Sequence, residues 1–149
     1  MDTSIDKRFQ SQLIVWLALL MSVLLYFLLA HFAAPKVAYD PRSSTTRVLV
    51  VALTVAAIAV VAASFFVRRA LLARSVERQE INLVQQAHVV AYAMCEVSAL
   101  LGLLACFVIG YPHYYFLMLL GAIGIAAQFP RREHLMAASP KIPIGGTTS

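Results

Sequence analysis

The sequence predicts an all-α, polytopic membrane protein: four antiparallel transmembrane helices, up-down-up-down, with both termini cytoplasmic. Three observations predict it. Of 149 residues, 61% are hydrophobic and 13% are charged, and the mean hydropathy is +0.80. A soluble domain is about half apolar and about a quarter charged. The apolar residues gather into four runs close to the length that crosses a hydrocarbon core of roughly 30 Å. The basic residues fall unevenly on the segments between those runs. Disorder, a secreted disulfide framework and an ordinary soluble enzyme are poor starting points for such a composition.

Residues 1–12 read as a short cytoplasmic segment. The first run, 13–32, is broken only by Ser22 and His31. It is longer than the usual 7–15-residue core of a signal peptide. Asp2 and Asp6 dilute the positive flank, so a retained helix is expected. The second run, 48–67, has Thr54 and Ser64 as its hydroxyls, and the third, 88–110, carries one carboxylate, Glu96. The fourth, 112–129, is shorter. These four make one transmembrane bundle over 13–129. Between the second and third lies a polar connector, 68–87, without glycine or proline, expected as a helical extension or a helix-turn-helix link. The link 34–47, with Pro35, Pro41 and a Ser-Ser-Thr-Thr run, reads as an outer loop. From 130 onward, prolines and Gly145-Gly146 predict a disordered cytoplasmic tail.

Orientation follows from the loops. Lys7, Arg8, Arg68, Arg69, Arg74, Arg78, Arg131, Arg132 and Lys141 fall on one side of a four-crossing chain, against Lys36, Arg42 and Arg47 on the other. Cytoplasmic loops carry the Lys/Arg excess. The expected location is therefore a cell membrane, multi-pass, with the bacterial inner membrane as the natural setting. The net charge of +5 serves the same end, because no basic stripe with interleaved aromatics points to nucleic acid. Arg68, Arg69, Arg74 and Arg78 are expected to meet anionic lipid head groups or a cytoplasmic partner. Gly110-Tyr111-Pro112 makes the turn between the third and fourth helices, and Tyr111, Tyr114 and Tyr115 crowd at the outer interface. Trp16 anchors the inner end of the first helix.

The polar residues inside the spans carry whatever chemistry the chain has. Glu96 is the one acid in the four runs, about 10 Å below the inner surface at helical rise. An intramembrane carboxyl either faces a partner or holds a proton. Gln85, His88, Tyr92 and Glu96 recur at three, four and four residues, which places them on one helix face. This column reads either as a polar seam or as a candidate ion-binding line. Ala91, Cys95, Ser98, Gly102 and Ala105 form a small-residue stripe beside it, and Ala52, Ala56, Ala59 and Ala63 repeat the pattern in the second helix. Small residues let membrane helices approach closely, so the two ladders are expected to face one another or a second subunit. Ala122, Ala126, Gly121 and Gly124 give the fourth helix a similar face.

No catalytic machinery is visible: there is no phosphate loop, no HExxH, and no nucleophile with a base. His31, His88, His113 and His134 fix no haem or metal site, and no cofactor is expected. Cys95 and Cys106 lie about 16 Å apart along one helix, beyond disulfide reach. The residues alone suggest a non-enzymatic membrane protein, a packing or accessory subunit that forms a homo-oligomer or joins a larger complex.

Residues from about 50 to 110 resemble the hairpin of the rotor-ring c subunit, the proteolipid of ATP synthases. The resemblance is carried by Ala73-Arg74, Arg78-Gln79, Gln85, the carboxylate of Glu96 and Gly102 six positions after it. Alanines stand where that family has a glycine ladder, and Glu80 stands where its loop has proline. The resemblance implies a proton- or ion-handling component, with Glu96 as the binding carboxylate and His88, Tyr92 and Gln85 near it.

Overall fold

The computed structural model describes residues 3–33, 39–79, 81–130 and 133. Among them the chain is all-α, with four α-helices: α1 (Thr3–Ala33), α2 (Ser44–Arg78), α3 (Ile81–Leu104) and α4 (Tyr115–Ala127). A π-helical turn, Ala105–Ile109, continues α3. Three stretches are long and apolar enough to cross a membrane: Asp6–Ala33, Ser44–Arg78 and Asn82–Ile109. The expected disordered tail lies almost wholly outside the described residues, as do Pro35 and Lys36 of the outer loop.

Three boundaries differ from the sequence reading, each for a local reason. The Ser-Ser-Thr-Thr run starts α2 instead of interrupting the chain. Ser43 takes the extended backbone of an N-cap and its hydroxyl accepts from the Thr46 amide, which satisfies a donor that the first turn leaves free. The polar connector is helical to Arg78, so α2 is 35 residues long, about 50 Å at helical rise. It ends where Gln79 adopts a left-handed conformation, φ 54°, and its amide closes on Ser75 O and Val76 O. α3 begins two residues later, so the connector is a helix-turn-helix link. Finally, α4 has 13 residues, shorter than the expected 112–129, because the chain first turns through Tyr111–Tyr114. Gly110 makes that turn possible with φ 66°, its amide directed at Ala105 O and Cys106 O.

α3 is the central helix and packs on all three others. Its buried positions include Val84, Ala87, Ala91, Tyr92, Cys95, Ser98 and Ala99, so the small stripe at 91, 95, 98 and 102 is interior, as its spacing suggests. Against it, α4 brings Gly121 and Gly124. A Cβ at Gly121 would stand 2.7 Å from Cys95 O, and one at Gly124 would stand 2.8 Å from Cys95 Sγ. Here the absence of a side chain is what lets two backbones touch. Ala122 is partly buried and Ala126 is exposed, so the small face of α4 is narrower than expected.

The α2 ladder faces the bundle only in part, with Ala56 and Ala63 half-buried. Ala52 and Ala59 are exposed, while Ala57, Val61 and Ser64 are buried. The inward face is displaced by one residue, about 100° around the helix. Alanine occurs on several faces of α2, so small size alone cannot choose among them. Val61 and Ser64 decide it, the first by filling the space beside Gly124 and the second by hydrogen bonding to α3 and α4.

α1 lies against α3 and α4 along a seam of Gln12, Trp16, Leu19, Val23, Tyr26 and Ala30, spaced alternately by four and three. Trp16 does more than anchor an interface. Its indole donates to Ile125 O at 3.0 Å and its ring meets Phe129 edge-on at 5.2 Å. The opposite face of α1 presents Ile14, Leu17, Met21, Leu25 and Phe32 outward, an apolar strip far larger than a soluble monomer exposes. At the other end, Tyr39 and Tyr111 stack edge-on at 5.7 Å, which joins the α1–α2 link to the α3–α4 turn.

Candidate functional site

Glu96 sits on the partly buried edge of α3 that faces α1. Its Oε1 accepts from the Ser22 hydroxyl at 2.7 Å and from the Tyr26 phenol at 2.8 Å. Ser22 and Tyr26 are four residues apart on α1, so one helix turn delivers both donors to one oxygen. In apolar surroundings these bonds replace the water that a carboxyl would otherwise need. Sequence reasoning registered Ser22 only as a break in an apolar run and did not single out Tyr26. The available signal was their i, i+4 spacing in an apolar run, 13–32, that has no acid of its own.

Proton counting makes this cluster more than a static clamp. Ser22 Oγ also lies 2.8 Å from Leu19 O, and a hydroxyl has one proton to give. With that proton directed at Glu96, Oε1 accepts from both hydroxyls. With it directed at Leu19 O, the contact with Glu96 is satisfied when the carboxyl carries the proton and donates to Ser22. When Glu96 is ionised in the first, the two arrangements differ by one proton on Glu96 as well as by the direction of the Ser22 hydroxyl, so passing between them takes up or releases that proton.

The other members of the expected polar column make hydrogen bonds elsewhere. His88 is fully buried, and its Nδ1 is 2.8 Å from Val84 O. A carbonyl can only accept, so Nδ1 carries the proton and Nε2 accepts from the Arg68 guanidinium at 3.3 Å. Tyr92 donates to Gln128 O at 2.9 Å. Gln85 is partly buried, and its Oε1 lies 3.5 Å from Arg8 Nη1. Gln85, His88 and Tyr92 thus share a face of α3 with Glu96, but these bonds lead to α1, α2 and the end of α4, and none of them runs to the carboxyl. Spacing along one helix places groups on a face; the neighbouring helices determine what each group meets. Arg68 likewise departs from expectation. It is partly buried against His88, whereas Arg69, Arg74 and Arg78 are exposed.

A second polar cluster joins α2, α3 and α4. Gln128 Nε2 donates to Ser64 Oγ at 2.9 Å and lies 3.3 Å from Cys95 Sγ, and Ser64 and Cys95 are themselves 3.3 Å apart. Ser98 donates to Leu117 O at 3.1 Å. Gln128 and Ser64 are fully buried. The sequence reading missed Gln128 because it lies at the edge of the last apolar run. Cys95 and Cys106 are both buried free thiols.

Comparison of the chain with protein-family models, with curated proteins and with solved structures yields no match.

Proposed function

We propose that this chain is a small non-enzymatic integral membrane protein, a packing or accessory subunit of a larger membrane complex, with four crossings and both ends cytoplasmic. The observation that carries the reading is the use made of the intramembrane acid. Glu96 is engaged by two hydroxyls of α1, so the costliest polar group in the spans serves to attach one helix to the rest.

The contacts support the crossing pattern. Residues 8 and 22 of α1 meet 82 and 96 of α3, so these two helices run in the same direction. Ser64 and Arg68 meet Cys95 and His88, and Ser98 and Tyr92 meet Leu117 and Gln128; these pairs run oppositely. α4 covers about 20 Å at helical rise. The turn before it, Tyr111–Tyr114, and Gln128–Pro130 after it flank α4, and the fourth crossing is proposed for this whole stretch. The Lys/Arg asymmetry then places both termini on the inner side. The exposed Ala52 and Ala59 of α2 suit close approach by a helix of another chain.

The one-proton geometry at Ser22 favours a second reading, a proton- or ion-handling component resembling the rotor-ring c subunit, with Glu96 as the exchanging carboxyl. A single substitution separates the two. Under the accessory reading, Glu96→Gln keeps an acceptor for Ser22 and Tyr26, so assembly is unchanged and thermal stability in detergent moves by less than about 0.5 kcal/mol. A carboxyl-directed carbodiimide, read by mass spectrometry, leaves Glu96 unmodified. Modification at Glu96 that is suppressed by raising pH or adding sodium supports the ion-handling reading instead.

A further inference from the structure

A cleft of about 510 Å³ opens between α1, α2 and α3 at the end where the apolar runs begin. Its walls are apolar, from Val15, Leu71, Val89 and Val90, and Gln12 and Gln85 supply polar edges. Gln12 is 96% buried, leaving 4% of its surface accessible, and neither its Nε2 nor its Oε1 has a hydrogen-bond partner. A buried amide left unsatisfied costs about 1–3 kcal/mol. A side chain held at such cost on the wall of a cavity needs a ligand that both accepts and donates. Arg8 stands at the same edge, its Nη1 2.7 Å from Asn82 Oδ1 and 3.5 Å from Gln85 Oε1. Both partners are neutral amide oxygens, which position the guanidinium without cancelling its charge.

We propose that this cleft binds one anionic phospholipid with a hydroxyl-bearing head, of the phosphatidylglycerol class. Gln12 directly precedes Leu13, where the first apolar run begins, the depth at which the head group and glycerol esters of a bilayer lipid lie. The phosphate faces Arg8. Gln12 Nε2 donates to a phosphate or ester oxygen, and Gln12 Oε1 accepts from a head-group hydroxyl. An acyl chain runs along Val15, Leu71, Val89 and Val90. Phosphatidylcholine lacks a head-group donor and net charge, so it leaves the amide oxygen unmet. The inference rests on the membrane reading above, and the experiment distinguishes failure of one from failure of the other.

The test is native mass spectrometry of the full chain, purified in detergent and delipidated, then titrated with phosphatidylglycerol, phosphatidylethanolamine, phosphatidylcholine or free glycerol phosphate. One phosphatidylglycerol is expected to remain bound at least tenfold more tightly than phosphatidylcholine or phosphatidylethanolamine, with no adduct from glycerol phosphate. Gln12→Leu removes the orphaned amide. It is expected to leave the lipid-free protein as stable or more stable, yet to abolish the preference; Gln12→Met serves if the leucine variant does not fold. Equal retention of all three lipids, glycerol phosphate binding alone, or an unchanged preference in the Gln12 variants overturns the site. Recovery of the chain without detergent overturns the membrane reading itself.

Discussion

Gln128 shows how much a single side chain decides in this interior. Its side-chain nitrogen serves Ser64 on α2 and Cys95 on α3 at once, while its backbone carbonyl accepts from Tyr92, so this one residue beyond α4 ties together three helices. Hydrogen bonds between membrane helices are worth about 1 kcal/mol each. Gln128→Ala is expected to lower unfolding stability in detergent by about 1 kcal/mol, measured by thermal or denaturant unfolding; an unchanged midpoint would remove the network from the account. Ser64 needs this partner less, since its hydroxyl also reaches Val61 O at 2.7 Å. Such pairings were not legible in the sequence. Glu96 stood out because an acid in an apolar run is costly, whereas Gln128, Ser22 and Tyr26 resemble ordinary punctuation until a neighbouring helix is placed beside them.

At the scale of elements, the sequence was informative about α3 and less so about α2. The stripe at 91, 95, 98 and 102 is interior because α2 and α4 pack on that side of α3, while Ala93, Val97 and Leu100 face outward. On α2 the alanines are spread around the helix, and the inward face is set by Val61 and Ser64. The helix ends were legible where backbone chemistry is distinctive, as at Gly110, and obscure where it is not. Gln79 takes a positive φ without being glycine, and nothing in its identity announces that turn. α4 approaches the α3 backbone closely at Gly121. Its Cβ position falls 2.7 Å from Cys95 O and 3.1 Å from Ala99 N, both backbone atoms that cannot rotate away. Gly121→Val is therefore expected to cost about 1–3 kcal/mol through overpacking. Val introduced at exposed Ile123 is expected to cost less than about 0.5 kcal/mol. Comparable losses at both positions in a detergent unfolding assay would deny the close approach.

Over the whole molecule, all four helices contribute to one buried cluster, with Val23 of α1 beside Val61, Cys95 and Ile125. α2, α3 and α4 are joined by the Gln128 network and by glycine contacts. α1 adds its seam, the Trp16 bond to Ile125 O and the hydroxyl pair on Glu96. Composition was sufficient to read the all-α class, because it depends on sums over many residues; charge placement is the ground for the proposed side assignment. The attachment of α1 depends on two hydroxyls and could be read only once the helices were packed. The side assignment itself is open to measurement. In vesicles sealed with the outer face outward, a cysteine at Thr45 is expected to react with an impermeant maleimide and one at Ser4 is not; the opposite pattern would reverse the assignment, and labelling of both would deny the crossing by α1. The central claim is that the intramembrane carboxyl holds α1 to the bundle, and a double-mutant cycle tests it directly. Glu96→Leu and Tyr26→Phe, alone and combined, are compared by unfolding in detergent. The account predicts a coupling of about 1 kcal/mol between the two positions, so that the second substitution costs little once the first is made. Strictly additive losses would contradict it.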